Sequence, residues 1–85
     1  MDKGYKIERE LLSGECEVKW YDDPASAKRV MTRLRKERIL KTRWAELFET
    51  DFDEENGDWK LVAGFEREVA EVMGYEIATG RVIDY

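Results

Sequence analysis

The chain has 85 residues, a net charge of −5, 41% charged and 42% hydrophobic residues, and no histidine. That length makes one domain, and a chain this short buries only about 60% of the surface its unfolded form exposes. Three Trp, four Tyr and three Phe argue against disorder, while the absence of any apolar run near the ~20 residues of a membrane span excludes a transmembrane helix.

Other bulk features narrow the class. The single cysteine, Cys16, excludes an intrachain disulfide and favours a reducing compartment. The start Met-Asp-Lys-Gly-Tyr-Lys has no apolar stretch of a secretory signal, and Asp2 is not the glycine that N-myristoylation needs. The expected location is the cytoplasm.

In chain order, Tyr5 to Leu12 alternates, with Tyr5, Ile7 and Leu11 on one face and Lys6, Glu8 and Glu10 on the other. Glu15 to Tyr21 alternates again, with Cys16, Val18 and Trp20 together. A two-residue Ser13-Gly14 turn pairs Leu11 with Cys16 and Ile7 with Trp20 on an apolar face, and Glu8 with Lys19 on a polar one. Agreement between register and pattern predicts a hairpin. Asp22-Asp23-Pro24 then reads as a helix start: Asp23 caps, Pro24 takes the first helical position, and the carboxylates suit the positive helix end. Ala27, Val30, Met31 and Leu34 form a buried stripe at helical spacing, and the helix is expected to span 24–38.

The stretch 39–53 fits two patterns. Leu40, Trp44, Leu47 and Phe48 suit a helix; Trp44, Phe48 and Phe52 suit one face of a strand. Asn56-Gly57 is a strong hairpin turn, and folding back around it sets Phe52 opposite Leu61, Thr50 opposite Ala63, Phe48 opposite Phe65 and Asp53 opposite Lys60, which favours the strand. Trp44, Phe48, Phe52 and Phe65 are expected in the core, with Trp44 inward. Phe65, Val69, Val72 and Met73 have helical spacing, so a short helix is expected around 66–73, stopped by Gly74. A closing hairpin, Tyr75–Ala78 with Arg81–Ile83 about Thr79-Gly80, pairs Ile77 with Val82; a helix running on to Thr79 competes with it. The expected fold is α+β, a two-layer antiparallel sheet built from hairpins and packed on one main helix, in the order β-β-α-β-β-(α-β-β).

Catalytic chemistry is thinly represented. Without histidine the commonest general base and zinc ligand are missing. Cys16 reads as a small buried hydrophobe on a strand. The glycines form no nucleotide-binding loop. Counting a cation loop from Asp51 puts Asn56 and Val62 where glycine and glutamate are required, so that match fails. No cofactor or metal is expected, and a carboxylate/metal-dependent enzyme is the remote alternative.

Charge is sorted instead. Lys28 to Arg43 holds eight bases and one acid; Trp44 to Asp58 holds seven acids and no base. Sorted blocks point to surfaces of opposite potential and to binding by electrostatics. The candidate partner-binding residues are Lys28, Arg29, Arg33, Arg35, Lys36 and Lys41 on the basic side, and Glu49, Asp51, Asp53, Glu54 and Glu55 on the acidic side. In the two-layer arrangement, Glu49, Asp51 and Asp53 point away from the helix, giving a molecule basic on its helix side and acidic on its sheet side. The plainer alternative is a pair of solvated surfaces.

A hairpin, a helix beginning Asp-Pro-Ala-Ser-Ala-Lys-Arg and a second hairpin, over residues 5–65, resemble in layout some small phage-encoded anti-CRISPR proteins. The resemblance implies a non-enzymatic inhibitor that occludes a nucleic-acid- or protein-binding surface of an effector complex, and it carries over no specific residue. The expected partner is a protein or nucleoprotein complex. Nucleic acid bound through the basic helix is the alternative, and head-to-tail self-association also suits a domain with unlike faces.

Overall fold

In the computed structural model, residues 3–38, 40–51 and 58–84 are described. They form β1 (Lys3–Leu11), β2 (Cys16–Tyr21), α1 (Pro24–Arg35), β3 (Thr42–Asp51), β4 (Lys60–Val72) and β5 (Tyr75–Asp84). The five strands make one antiparallel sheet in the order β2-β1-β3-β4-β5. Because β2 and β3 both pair antiparallel with β1, they run in the same direction, and the chain must cross over β1 to connect them. The crossover is α1, and it can pack on only one face of the sheet.

The helix forms as its sequence dictates. Asp23 accepts from the backbone N–H of Ala25 and Ser26 at 3.1 and 3.3 Å, and from the Ser26 hydroxyl at 2.8 Å. These bonds, the Ser26 hydroxyl first, hold the Asp23 carboxyl below its ordinary value. Ala27, Met31 and Leu34 are buried against Tyr5, Ile7, Ala45, Leu47 and Phe65, with Val30, Tyr21 and Val82 at the margin. The helix ends at Arg35 rather than 38.

The reason for that ending is Arg67, 2% exposed. Its guanidinium donates to the carbonyls of Leu34 at 2.6 Å and Arg35 at 3.2 Å, and through Nε to the carbonyl of Thr42 at 3.0 Å. A buried cation thus sits at the negative end of the helix dipole and ties α1 to the start of β3.

Register departs from expectation in both hairpins. The first closes with Gly14 at φ +93°, its N–H bonded to the carbonyl of Leu11, and Leu11 N–H bonded to the carbonyl of Glu15. That longer turn pairs Ile7 with Lys19, Glu8 with Val18 and Glu10 with Cys16. A one-residue slip inverts the faces, so Cys16, Val18 and Trp20 lie away from the helix, and Cys16 is exposed instead of buried. In the second hairpin Phe65 faces Ala45, Ala63 faces Leu47 and Leu61 faces Phe48, with the extra residue Val62 in a bulge. Phe65 is core; Phe48 and Trp44 lie on the opposite face. Phe52 and the Asn56-Gly57 turn fall outside the described residues.

Among the described residues of the last third there is no helix. β4 continues through 66–72 and turns at Met73-Gly74, both at positive φ (52° and 86°), the geometry of a two-residue hairpin turn. Gly74 is therefore a turn residue rather than a helix stop. Ile77 pairs with Ala70 and Val82 with Arg67. Thr79-Gly80 sits where the β4–β5 register shifts, with Gly80 at φ +91°: a bulge and a turn ask for the same residue type. The 13-residue β4, roughly 43 Å when extended, matches the long axis of a molecule measuring 50 × 22 × 19 Å.

Candidate functional site

Between Pro24 and Lys36 the chain carries five bases and no acid. The buried stripe turns these bases outward, and Lys28, Arg29, Arg33, Arg35 and Lys36 are all exposed. Arg35 is held by Asp84 at 2.7 Å. Among the described residues, Lys28, Arg29, Arg33 and Lys36 have no acid within ion-pair distance. Lys41 is exposed too, in the connection to β3. Beside the helix runs a groove floored by Leu47, Ala63 and Gly64 and walled by Lys28, Thr32 and Arg35. It exists because α1 packs over β1, β2 and β3 and reaches β4 only at Phe65 and Arg67, leaving the start of β4 around Val62 to Gly64 uncovered.

The acidic candidate that lies within the described part of β3, Glu49, is not on the face opposite the helix. Glu49 lies on the same side of β3 as Leu47, the helix side, across from Tyr5 on β1 and Lys60 on β4. Phe48, expected inward, takes the other side, so the expected orientation of Glu49 is reversed. Asp51 ends β3. Asp53, Glu54 and Glu55 lie outside the described residues.

A different set of residues lines the helix-free face. Cross-strand neighbours form three rows: Trp20–Lys6–Phe48–Leu61, then Val18–Glu8–Glu46–Gly64, then Cys16–Glu10–Trp44–Glu66–Ile83. The Lys6 ammonium sits 4.7, 5.2 and 5.9 Å from the ring centres of Trp59, Phe48 and Trp20, and 3.5 Å from Glu8. Trp20 and Trp59 pack tilted with centres 5.5 Å apart. Glu10 accepts from the Trp44 indole at 2.8 Å, with Arg43 at 4.0 Å; Arg43 also pairs with Glu76. Arg43 has no partner residue on β1, since the register shifts between Glu10 and Leu11, and that bulge puts two successive side chains of β3 within reach of one carboxylate.

Among the described residues, no three His, Cys, Asp or Glu side chains come together as a metal site. Nor is any helix among the described residues long and apolar enough to cross a membrane. No family model, curated protein or solved structure matches the chain.

Sequence reasoning locates the basic helix face and misses the aromatic face and Arg67. The signal for part of the aromatic face was Gly14: read as the left-handed residue closing a three-residue loop, it shifts the β1–β2 register by one and sets Lys6 opposite Trp20. Arg67 left no such trace, because its partners are backbone carbonyls that the fold brings to it.

Proposed function

We propose that this protein is a small non-enzymatic interaction protein that acts in the cytoplasm, docks the outward face of α1 on an anionic surface of a protein or nucleoprotein partner, and inhibits or modulates that partner by covering the surface. The observation that carries this reading is the set of four exposed cations with no acid at ion-pair distance among the described residues: Lys28, Arg29, Arg33 and Lys36. The helix dipole accounts for bases in the last turn, Arg33 and Arg35. It offers nothing to Lys28 and Arg29, which lie earlier. Arg29 and Arg33 at i,i+4 cost about 0.2–0.5 kcal/mol in an isolated helix, a cost that folding alone does not require.

Capture of partners from a host extract tests it. Reversing two exposed charges together, Arg29→Glu with Arg33→Glu, is expected to abolish capture while the melting temperature holds. Undiminished capture removes this face from the reading. The resemblance to anti-CRISPR inhibitors expected from the sequence layout makes a CRISPR effector complex the first partner to try, with target cleavage as the readout. Nucleic acid is the second reading for the same four cations. Its signature is DNA or RNA binding that falls steeply with salt, and an absent gel shift at low salt ends it; the net charge of −5 stands against it.

A further inference from the structure

The helix leaves one whole face of the sheet uncovered, and that face is neither apolar enough for a dry core nor polar enough for plain solvation. Trp20 is 64% exposed, Leu61 49% and Val18 44%. Trp20, Trp44 and Trp59, the only tryptophans of the chain, all belong to it. Beside the aromatic row, Glu8 and Glu46 stand directly opposite on the adjacent strands β1 and β3, an arrangement that disfavours pairing. Lys6 answers Glu8. Glu46 and Glu66 have no partner among the described residues.

We propose that this helix-free face is a second docking surface, and that it takes a lysine- or arginine-bearing segment of a partner protein, with one cationic side chain seated over Trp20 and another directed to Glu46. Lys6 supplies the internal precedent: an ammonium group already occupies the inner side of the same aromatic cluster, within 6 Å of three ring centres. Charge selects among the occupants. A second copy laid face to face sets Glu8, Glu46 and Glu66 near their own images, and a phosphate backbone meets the same carboxylates; both are repelled. A basic segment meets aromatic faces and unpaired carboxylates together. This surface is independent of the basic face of α1 and opposite to it in sign.

The three tryptophans report on their own face, so intrinsic fluorescence with parallel calorimetry is the assay. The probes are a lysine/arginine peptide with glycine and serine spacers, a glutamate peptide of equal length, and a single-stranded oligonucleotide. The basic peptide is expected to bind saturably, with Kd raised about tenfold or more by Trp20→Ser and by Glu46→Lys. The control Glu71→Lys makes the same charge change on the projecting β4–β5 hairpin and is expected to leave Kd within about twofold. Melting curves establish that each variant is folded. Equal weakening by Glu71→Lys and Glu46→Lys overturns the proposal, because attraction is then to overall charge. So does tryptophan-linked binding of the glutamate peptide or the oligonucleotide, or a concentration-dependent sedimentation coefficient that Trp20→Ser abolishes, which marks a second copy as the occupant. The Arg29→Glu with Arg33→Glu protein is expected to retain the peptide, which separates this surface from the α1 face.

Discussion

Arg67 offers the sharpest test of how this fold holds together. Replacing it with Met keeps an unbranched apolar stem and removes all three donors. The carbonyls of Leu34 and Thr42 belong to fully buried residues, and a buried acceptor left unmade costs about 1–3 kcal/mol. Two of them give roughly 2–6 kcal/mol. Relief from burying a guanidinium offsets part of this, so the net loss is expected at about 2–4 kcal/mol. An 85-residue domain has roughly 4–13 kcal/mol of stability in total, so the loss is a large share. At about 4–8 °C per kcal/mol for a domain of this size, Arg67→Met should melt at least about 8 °C below wild type. Arg67→Lys keeps the charge but not the planar fork and should fall between. Urea titration and thermal melts by circular dichroism measure both. The loss should change little between low and high salt, because buried contacts are poorly screened. A melting temperature of Arg67→Met within about 2 °C of wild type, or above it, refutes the reasoning: desolvation of the buried charge then cancels its hydrogen bonds.

Four further outcomes are expected. Asp23→Ala should lower the melting temperature at neutral pH and much less near pH 2, because a carboxylate held below its ordinary 3.8 contributes stability above that value and loses it as pH falls through the lowered folded value; equal losses at both pH values sink the idea. Met73, 93% exposed at φ 52°, should be improved by Met73→Asn, with a melting temperature several degrees higher, since asparagine suits this turn position; a lower value contradicts it. Gly80→Ala should destabilise by about 1–2 kcal/mol, because a side chain there is strained at φ +91° and its Cβ meets Leu40 Cδ1 at 3.3 Å; unchanged urea midpoints refute this. Cys16, exposed on β2, should react with a thiol reagent in the native protein as completely as in urea, and protection in the native state means the β1–β2 register is wrong.

The sequence by itself determined α1, its cap and its buried stripe. Asp23, Pro24 and the i, i+3, i+4 spacing act within one segment and need no distant partner. It also determined the α+β class and the outward basic face, since burying Ala27, Met31 and Leu34 leaves Lys28, Arg29 and Arg33 no other direction; for 39–53 it favoured a strand over a helix on a register that the fold does not use. Which face each strand shows was decided by tertiary structure. Alternation has a period of two, so the extra residue closing the loop at Gly14 moves Trp20 from core to surface without changing the pattern. The spacing of Phe65, Val69, Val72 and Met73 was equally degenerate: where the register shifts between Arg67 and Val69, strict alternation breaks and the apolar residues fall as a helix would place them. The segment 66–72 is a strand because β5 pairs with it and Arg67 must reach the end of α1, and both are contacts between distant parts of the chain. For the same reason the helix-free face, with Trp20, Lys6, Phe48 and Glu46 drawn from three strands, existed nowhere in the sequence as a motif. Only the register assembled it.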